Sequence, residues 1–204
     1  HLDFYKDLDD IKRVFINFID RIPFYGLAIL CLDSEPVQDI IPEIKKRFTT
    51  YGMSTQADFQ AKNIRFMEMK SRFEVYHLGK PMGEISLNLP GLHSVYNALA
   101  AIAVGIELEI SFSTIRKTLE TVAGVQRRLE IKGEKKGVTV VDDYGHHPTE
   151  IKATLQAART CWPGRRKIVV FQPHRHTRTR DLFDDFSRAF YHSDALMILP
   201  ICAA

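Results

Sequence analysis

The chain has 204 residues, a hydrophobic fraction of 45% and a formal net charge of +3. This length is sufficient to bury a substantial core in one large or two small domains. Because the chain has neither an apolar run of membrane-spanning length nor a secretory leader, and because its net charge is small, we expect a cytoplasmic protein that binds neither membranes nor nucleic acid.

The three cysteines, Cys31, Cys161 and Cys202, are odd in number, far apart and close to apolar segments. We expect buried, reduced thiols, as is usual for a cytosolic protein. The chain begins at His1 rather than at a methionine, so we also expect it to be a piece of something longer.

The first half of the chain alternates between helical and strand-like patterns, which is typical of α/β proteins. The predicted elements are a helix over 10–22, a buried strand over 27–32, a helix from 33–36 to about residue 47, strands over 73–78 and 84–89 joined by a turn at 79–83, and helices over 98–105 and 113–122. The two strands after residue 72 indicate an antiparallel extension of a parallel sheet.

A polar side chain, Asn97, precedes the apolar helix predicted over 98–105. A buried amide needs a hydrogen-bond partner, and the edge of an adenine ring offers one donor and one acceptor side by side. A local helix cap is the alternative interpretation.

The second half of the chain predicts a further α/β sheet. Its elements are strands over 129–132 and 138–141, a helix beginning at Pro148, a strand over 167–171, a helix over 180–191 and a strand over 195–199. We place a domain boundary near 123–124, so that residues 1–122 and 123–204 form separate domains, the second an incomplete doubly wound one.

Two polar loops follow the strands at 138–141 and 167–171. If these strands are parallel neighbours joined by a right-handed crossover, the loops at 142–147 and 173–178 lie at the same sheet edge. The first loop also leads into a helix, whose free N–H groups favour an anion. We therefore expect a phosphate- or carboxylate-bearing ligand in a shared crevice.

Four segments and the opening HLD together resemble the Mur ligase family. The segments are GLHSVYNALAAIAV (91–104), GVQRRLE (124–130), DDYGHHPTEI (142–151) and FQPHRHTRTRDLF (171–183). The resemblance implies an α/β fold, in which the later part of the family's central ATPase domain, a mixed sheet with helices, precedes an incomplete Rossmann-like C-terminal domain. The family's GxxxxGK[ST] loop is not in this chain and is expected upstream, and Ser94 stands where the family usually has Asn.

The segments DDYGHHPTEI and FQPHRHTRT are most similar to those of the alanine-adding members of the family. This similarity implies UDP-N-acetylmuramate and L-alanine as substrates and ATP and Mg²⁺ as cofactors. ATP would convert the muramyl carboxylate to an acyl phosphate, which the amine of alanine then attacks. The protein's part is to position these groups and neutralise their charge. We expect the 204-residue chain alone to be inactive, because it lacks the phosphate-binding loop.

The resemblance also implies roles for individual residues. Those implied for catalysis are Arg128, His146, His174, Arg175 and Arg178; for the nucleotide, His93, Asn97, Asp143 and Tyr144; and for the metal, His1. Arg127 could replace Arg128 as the phosphate contact, and Asp143 could instead be a structural residue at a helix start. We expect His147 to be a helix cap and His176 to be a packed ring.

Two other functions remain open. A divalent-metal hydrolase could use the acidic and histidine side chains of the two loops, namely Asp142, Asp143, His146, His147, His174 and His176. Arg175 and Arg178 weigh against it, because guanidinium groups repel a dication. A non-catalytic fragment that binds a nucleotide sugar is the third possibility.

Overall fold

The computed structural model describes residues 4–203, which form a mixed α/β fold. In chain order the elements are α1 (Leu8–Asp20), β1 (Ala28–Cys31), α2 (Glu35–Ile40), β2 (Phe48–Gly52), β3 (Phe59–Met67), β4 (Lys70–His77), β5 (Lys80–Leu87), α3 (Leu92–Glu107), α4 (Phe112–Leu119), β6 (Glu130–Lys135), β7 (Val138–Asp142), α5 (Pro148–Cys161), β8 (Ile168–Phe171), α6 (His176–Asp181), α7 (Phe183–Ser187) and β9 (Ala195–Ile198). His1, expected to bind magnesium, lies outside the described residues.

The first five strands form one sheet in the order β1-β2-β3-β4-β5. The pairs β1–β2 and β2–β3 are parallel, whereas β3–β4 and β4–β5 are antiparallel. The antiparallel extension is therefore confirmed, but β2 and β3 were missed from the sequence. In β3 the first three residues are all buried, so the alternation that normally indicates a strand begins only after residue 61.

The turn between β4 and β5 is tighter than expected. Leu78 and Gly79 both have positive φ, at 50° and 77°, and β5 already begins at Lys80. Two consecutive residues with positive φ are what a type I′ hairpin turn requires. The predicted turn over 79–83 therefore shrinks to two residues.

Helix α3 packs against this sheet and forms the main core with it. The core includes Phe73, Val75, Leu99 and Ile102, each 0% exposed. The helix begins at Leu92, six residues before the predicted start at 98, with Gly91 as its N-cap. Asn97 therefore lies inside the helix, and the interpretation of this residue as a local cap is wrong.

Two helices differ from their predicted lengths. Helix α2 ends at Ile40 and continues only as a short 3₁₀ turn over Ile41–Glu43, instead of reaching residue 47. The helix predicted over 180–191 begins earlier and is split at Leu182 into α6 and α7. The three cysteines are free thiols, as expected, but only Cys161 is buried, and Cys31 and Cys202 are half-buried.

The second half of the chain contains two separate strand pairs. β6 and β7 pair antiparallel, and β8 and β9 pair parallel. The condition that β7 and β8 are parallel neighbours in one sheet is therefore not met, because β7 pairs with β6 and β8 with β9 in two separate sheets. A cleft of about 570 Å³, lined by residues of both strands and of α5, lies between them.

Within residues 4–203, no helix has both the length and the apolar character needed to cross a lipid bilayer.

Candidate functional site

The polar loops that follow β7 and β8 lie within electrostatic reach of each other. Burial lowers the pKa of His147 in the first loop, and the positive charge of Arg178, the last residue of the second loop, lowers it further. Asp142, Asp143 and Gly145 of the first loop line the cleft between β7 and β8, whereas His176 and Thr177 of the second loop line a different pocket, so the shared crevice remains a prediction. His147 is also the N-cap of α5, as predicted, since its Nδ1 accepts a hydrogen bond from the backbone N–H of Thr149 at 3.3 Å.

Asp143 anchors its own loop to the connecting segment, residues 120–129, which joins α4 to β6. Its Oδ2 accepts a hydrogen bond from the backbone N–H of Leu129 at 2.9 Å, and its Oδ1 accepts one from Gly145 at 2.7 Å. These contacts give Asp143 a structural role. Each carboxylate oxygen can accept a further hydrogen bond, so a ribose contact remains a prediction.

Tyr144 stands between two arginines and a histidine. Its backbone N–H donates to the carbonyl of Arg127, and its ring lies 4.8 Å from the guanidinium carbon of Arg127 and 5.9 Å from that of Arg128. The ring of His146 meets it edge-on at 5.2 Å. The half-exposed tyrosine therefore makes a cation–π contact with Arg127, and Arg128 lies at the outer limit of that distance.

The contacts of Arg127 and Arg128 differ. The Nε of Arg127 lies 3.6 Å from Asp142, and its backbone N–H donates to Glu130. Arg128 reaches the other way, and its NH1 group lies 3.1 Å from Glu150 in the first turn of α5. Arg128 is therefore the arginine directed towards the helix N-terminus.

Glu150 was missed in the sequence and connects several parts of this site. Its Oε2 accepts hydrogen bonds from the backbone N–H groups of His146 at 3.0 Å and His147 at 3.2 Å. Burial alone would raise the pKa of Glu150, but these bonds and the Arg128 contact lower it. A glutamate three residues after a cap residue is the signal of a capping box, which could have identified it.

The predicted nucleotide residues on α3 face the same region. Burial lowers the pKa of His93; the charge of Asp143 opposes this shift and that of Arg128 adds to it. Asn97, one turn further along the helix, is exposed, and its side chain forms no hydrogen bond within residues 4–203. It is available for a ligand.

Gly91 allows α3 to approach α5 closely. A Cβ atom at this position would lie 2.8 Å from the His93 ring and 3.0 Å from the Cβ of Ala157, and the glycine has a φ of +88°. A larger residue would push the two helices apart. The glycine therefore helps to bring His93 towards the loop after β7.

The second loop is anchored by the segment after β9. The backbone N–H of Arg175 donates to the carbonyl of Cys202 at 2.9 Å, and His174 pairs with Cys202 in an isolated parallel bridge. Arg175 is exposed, and its φ of +71° is unusual for a residue other than glycine. His176 is also exposed, so its expected role as a packed ring is wrong.

The described residues, 4–203, contain no group of three or more His, Cys, Asp or Glu side chains arranged to hold a metal ion. The acidic and histidine side chains of the two loops therefore do not gather as a metal hydrolase would require. For the same reason this part of the chain supplies no full ligand set for Mg²⁺.

We expect the chain to become less stable as the pH falls through about 6.5, the ordinary pKa of histidine. Burial lowers the folded-state pKa of His93 and His147 below the ordinary value of 6.5. The unfolded chain therefore takes up protons first, and the free energy of unfolding decreases as the pH drops through about 6.5. Urea unfolding at several pH values measures this slope. His147→Asn, which keeps a good helix cap, should reduce it; an unchanged slope would contradict the role assigned to His147.

Comparison with protein families gives two matches. The Mur ligase middle domain matches residues 1–105, and the Mur ligase glutamate ligase domain matches residues 127–200. Together they cover most of the chain.

Known proteins resemble the chain over its whole length. It is 61% identical to the UDP-N-acetylmuramate–L-alanine ligase of Desulfosudis oleivorans and 59% identical to that of Desulforapulum autotrophicum, each over 204 residues. The chain spans 45% of the length of these relatives.

Solved structures share its fold. A UDP-N-acetylmuramate–alanine ligase from Thermotoga maritima matches with a TM-score of 0.78 and 25% identity, over 99% of this chain and 44% of that protein. A second ligase from Thermotoga maritima, solved in complex with ADP, has a TM-score of 0.79 at 18% identity, over 98% of this chain and 46% of that one, and supports the fold alone.

Proposed function

The chain belongs to the Mur ligase family, and we propose that it forms the part of a UDP-N-acetylmuramate–L-alanine ligase that holds the adenine, the phosphates and the reacting carboxylate. In this proposal residues 1–122 are the later part of the central ATP-binding domain, and residues 123–204 are the earlier part of the C-terminal domain. L-Alanine and UDP-N-acetylmuramate are the substrates, and ATP drives the reaction.

The observation that carries this proposal is the convergence of Arg128, His93 and the loop over 142–147. They come from the connecting segment, from α3 and from the end of β7; Asp143 accepts a hydrogen bond from the backbone N–H of Leu129, next to Arg128, and the charges of Asp143 and Arg128 both act on His93. A purely structural cluster would not need an exposed, unpaired amide at Asn97, nor Arg127 and Arg128 beside the loop over 142–147. Together these side chains can bind a polyanionic nucleotide and a carboxylate substrate.

Within this proposal the side chains bind and orient rather than form covalent bonds. Asn97 binds the adenine edge, Asp143 and Tyr144 flank the ribose, and Arg128 contacts the phosphates. His146, His174, Arg175 and Arg178 bind the muramyl and alanine end, where they offset the charge of the tetrahedral intermediate before phosphate leaves. A divalent metal would neutralise phosphate charge, but residues 4–203 supply no group of three or more side chains to hold it.

A chimera tests the function. The 204 residues replace the matching segment of the Desulfosudis oleivorans ligase, to which they are 61% identical. We expect release of phosphate from ATP that depends on both UDP-N-acetylmuramate and L-alanine. The unaltered relative is the control. A folded chimera that releases no phosphate, or releases it without alanine, would overturn the proposal, and zinc- or manganese-dependent hydrolysis would support the metal hydrolase instead.

Replacing Asn97 tests the adenine contact. Asn97→Ala in the chimera should raise the KM for ATP by about tenfold, because a paired amide–base contact contributes roughly 1–3 kcal/mol. Inosine triphosphate, whose six-membered ring carries an oxygen in place of the adenine amino group, is the matched ligand. We expect the unmodified chimera to prefer ATP and the variant to lose this preference. If the unmodified chimera and the variant prefer ATP over inosine triphosphate to the same extent, Asn97 does not bind the adenine.

A further inference from the structure

Glu150 uses its two carboxylate oxygens for different tasks. Oε2 accepts the backbone N–H groups of His146 and His147 and so completes the cap of α5. Oε1 faces the connecting segment instead, where it contacts the NH1 group of Arg128 at 3.1 Å. The cap therefore does not require the Arg128 contact, and the contact needs a separate explanation.

The Arg128 contact leaves most of the guanidinium group available. NH1 is the only nitrogen of this side chain with a hydrogen-bond partner within residues 4–203. The guanidinium fork has five N–H donors, so Nε and NH2 can still bind two oxygens of one anion. A carboxylate that contacts only NH1 fixes the direction of the guanidinium group and leaves its other N–H donors free.

The surroundings of this pair are suited to a positioning role. The side chains are partly exposed, at 47% for Arg128 and 30% for Glu150, so the ion pair by itself adds little to stability. Without Glu150 the long arginine side chain could rotate freely, and binding an anion would then cost the entropy of ordering it. Tyr144, at 5.9 Å from the guanidinium carbon, is too distant to fix the fork alone.

We propose that Glu150 is a positioning residue: it holds the Arg128 guanidinium at the N-terminus of α5 with two donor groups free for the phosphates of ATP. The inference rests on the proposed function, because it takes ATP as the ligand of Arg128. In this role the carboxylate of Glu150 contacts no substrate but orders Arg128 before ATP binds.

The first test uses the 204-residue chain and does not depend on catalysis. NMR signals of the Arg128 side chain report both its rotation and its response to added ATP. In the unmodified chain we expect slow guanidinium rotation and a shift on ATP titration. In Glu150→Gln, rotation should become fast, and about tenfold more ATP should be needed for half of the shift.

His147→Ala is the matched control, because it removes the other half of the capping box without touching the Arg128 pair. His147→Ala should lower the melting temperature more than Glu150→Gln, whose amide oxygen can still accept the two backbone N–H groups, but only Glu150→Gln should weaken the ATP response. If both weaken it equally, Glu150 acts only through the helix cap and the inference is wrong. An Arg128 signal that never responds to ATP overturns it as well.

Kinetics of the chimera separate this inference from the proposed function. Glu150→Gln should raise the KM for ATP about tenfold and leave kcat within about threefold. An active chimera with an unchanged KM in the variant contradicts the role of Glu150 alone. A chimera without ligase activity contradicts the proposed function, while the NMR titration still decides whether Glu150 orders Arg128.

Discussion

Arg175→Ala in the chimeric ligase is expected to lower kcat/KM by about 100-fold or more. Removing one preorganised donor to developing negative charge typically costs a factor of about 10²–10³. Arg175 offers a planar fork to a carboxylate or phosphate, and its backbone is fixed on both sides. The N–H donates to Cys202, and the carbonyl accepts from the backbone N–H and the hydroxyl of Thr179. Steady-state phosphate release at varied UDP-N-acetylmuramate concentration measures the loss.

The backbone conformation of Arg175 allows a control that separates the effect of its side chain on activity from any effect on stability. Its φ of +71° is a conformation that glycine adopts without strain, whereas other residues pay for it with about 1–3 kcal/mol. Arg175→Gly should therefore unfold at an equal or higher urea concentration than the unmodified chain and still lack turnover. Loss of activity without loss of stability would locate the effect in the side chain.

Arg175→Lys tests whether charge alone is sufficient. Lysine keeps the positive charge but has no planar fork, so we expect an activity between those of the unmodified chimera and the alanine variant. If the glycine variant turns over normally, Arg175 is not part of the site, whatever its position in the loop.

Phe73→Ala should reduce the free energy of unfolding by about 3–5 kcal/mol, the usual cost of removing a buried aromatic ring. Phe73 is 0% exposed and belongs to the main core between the sheet and α3. Because whole domains are stable by only about 5–15 kcal/mol, this is a large part of the total. Urea unfolding of the 204-residue chain, followed by circular dichroism, measures the change.

The matched control is Phe24→Ala, which removes the same ring from a position that is 93% exposed. We expect a change within about 0.5 kcal/mol. A small effect at Phe73, comparable with that at Phe24, would mean that the ring does not occupy the core as described.

Patterns with a local cause were predictable from the sequence. Helix α1 has an apolar stripe at helical spacing, and its start is displaced by only two residues because Asp7 caps it. His147 was expected to cap α5 and does so. Proline is common at the first position of a helix, so Pro148 marks the residue before it as the N-cap. Such features depend on a few neighbouring residues.

Features that depend on distant segments were not predictable. Strand β2 contains Thr49, Thr50 and Gly52, which carry no clear apolar alternation, and it is held by pairing with β1 and β3. The pairing of β7 with β6 and of β8 with β9, instead of with each other, is also set by long-range contacts. The family resemblance implied a role for Arg128, but it could not show the contact of this side chain with Glu150.

The cleft between β7 and β8 has a consequence for handling the protein. Each of the two strands has only one partner strand among residues 4–203, and Val138, Ile168 and Val170, which line the cleft, are more than half exposed. Open, apolar strand edges recruit extended segments from other molecules. Concentrated solutions of this chain should therefore self-associate through intermolecular β-pairing, and a peptide strand that fills the cleft should suppress it.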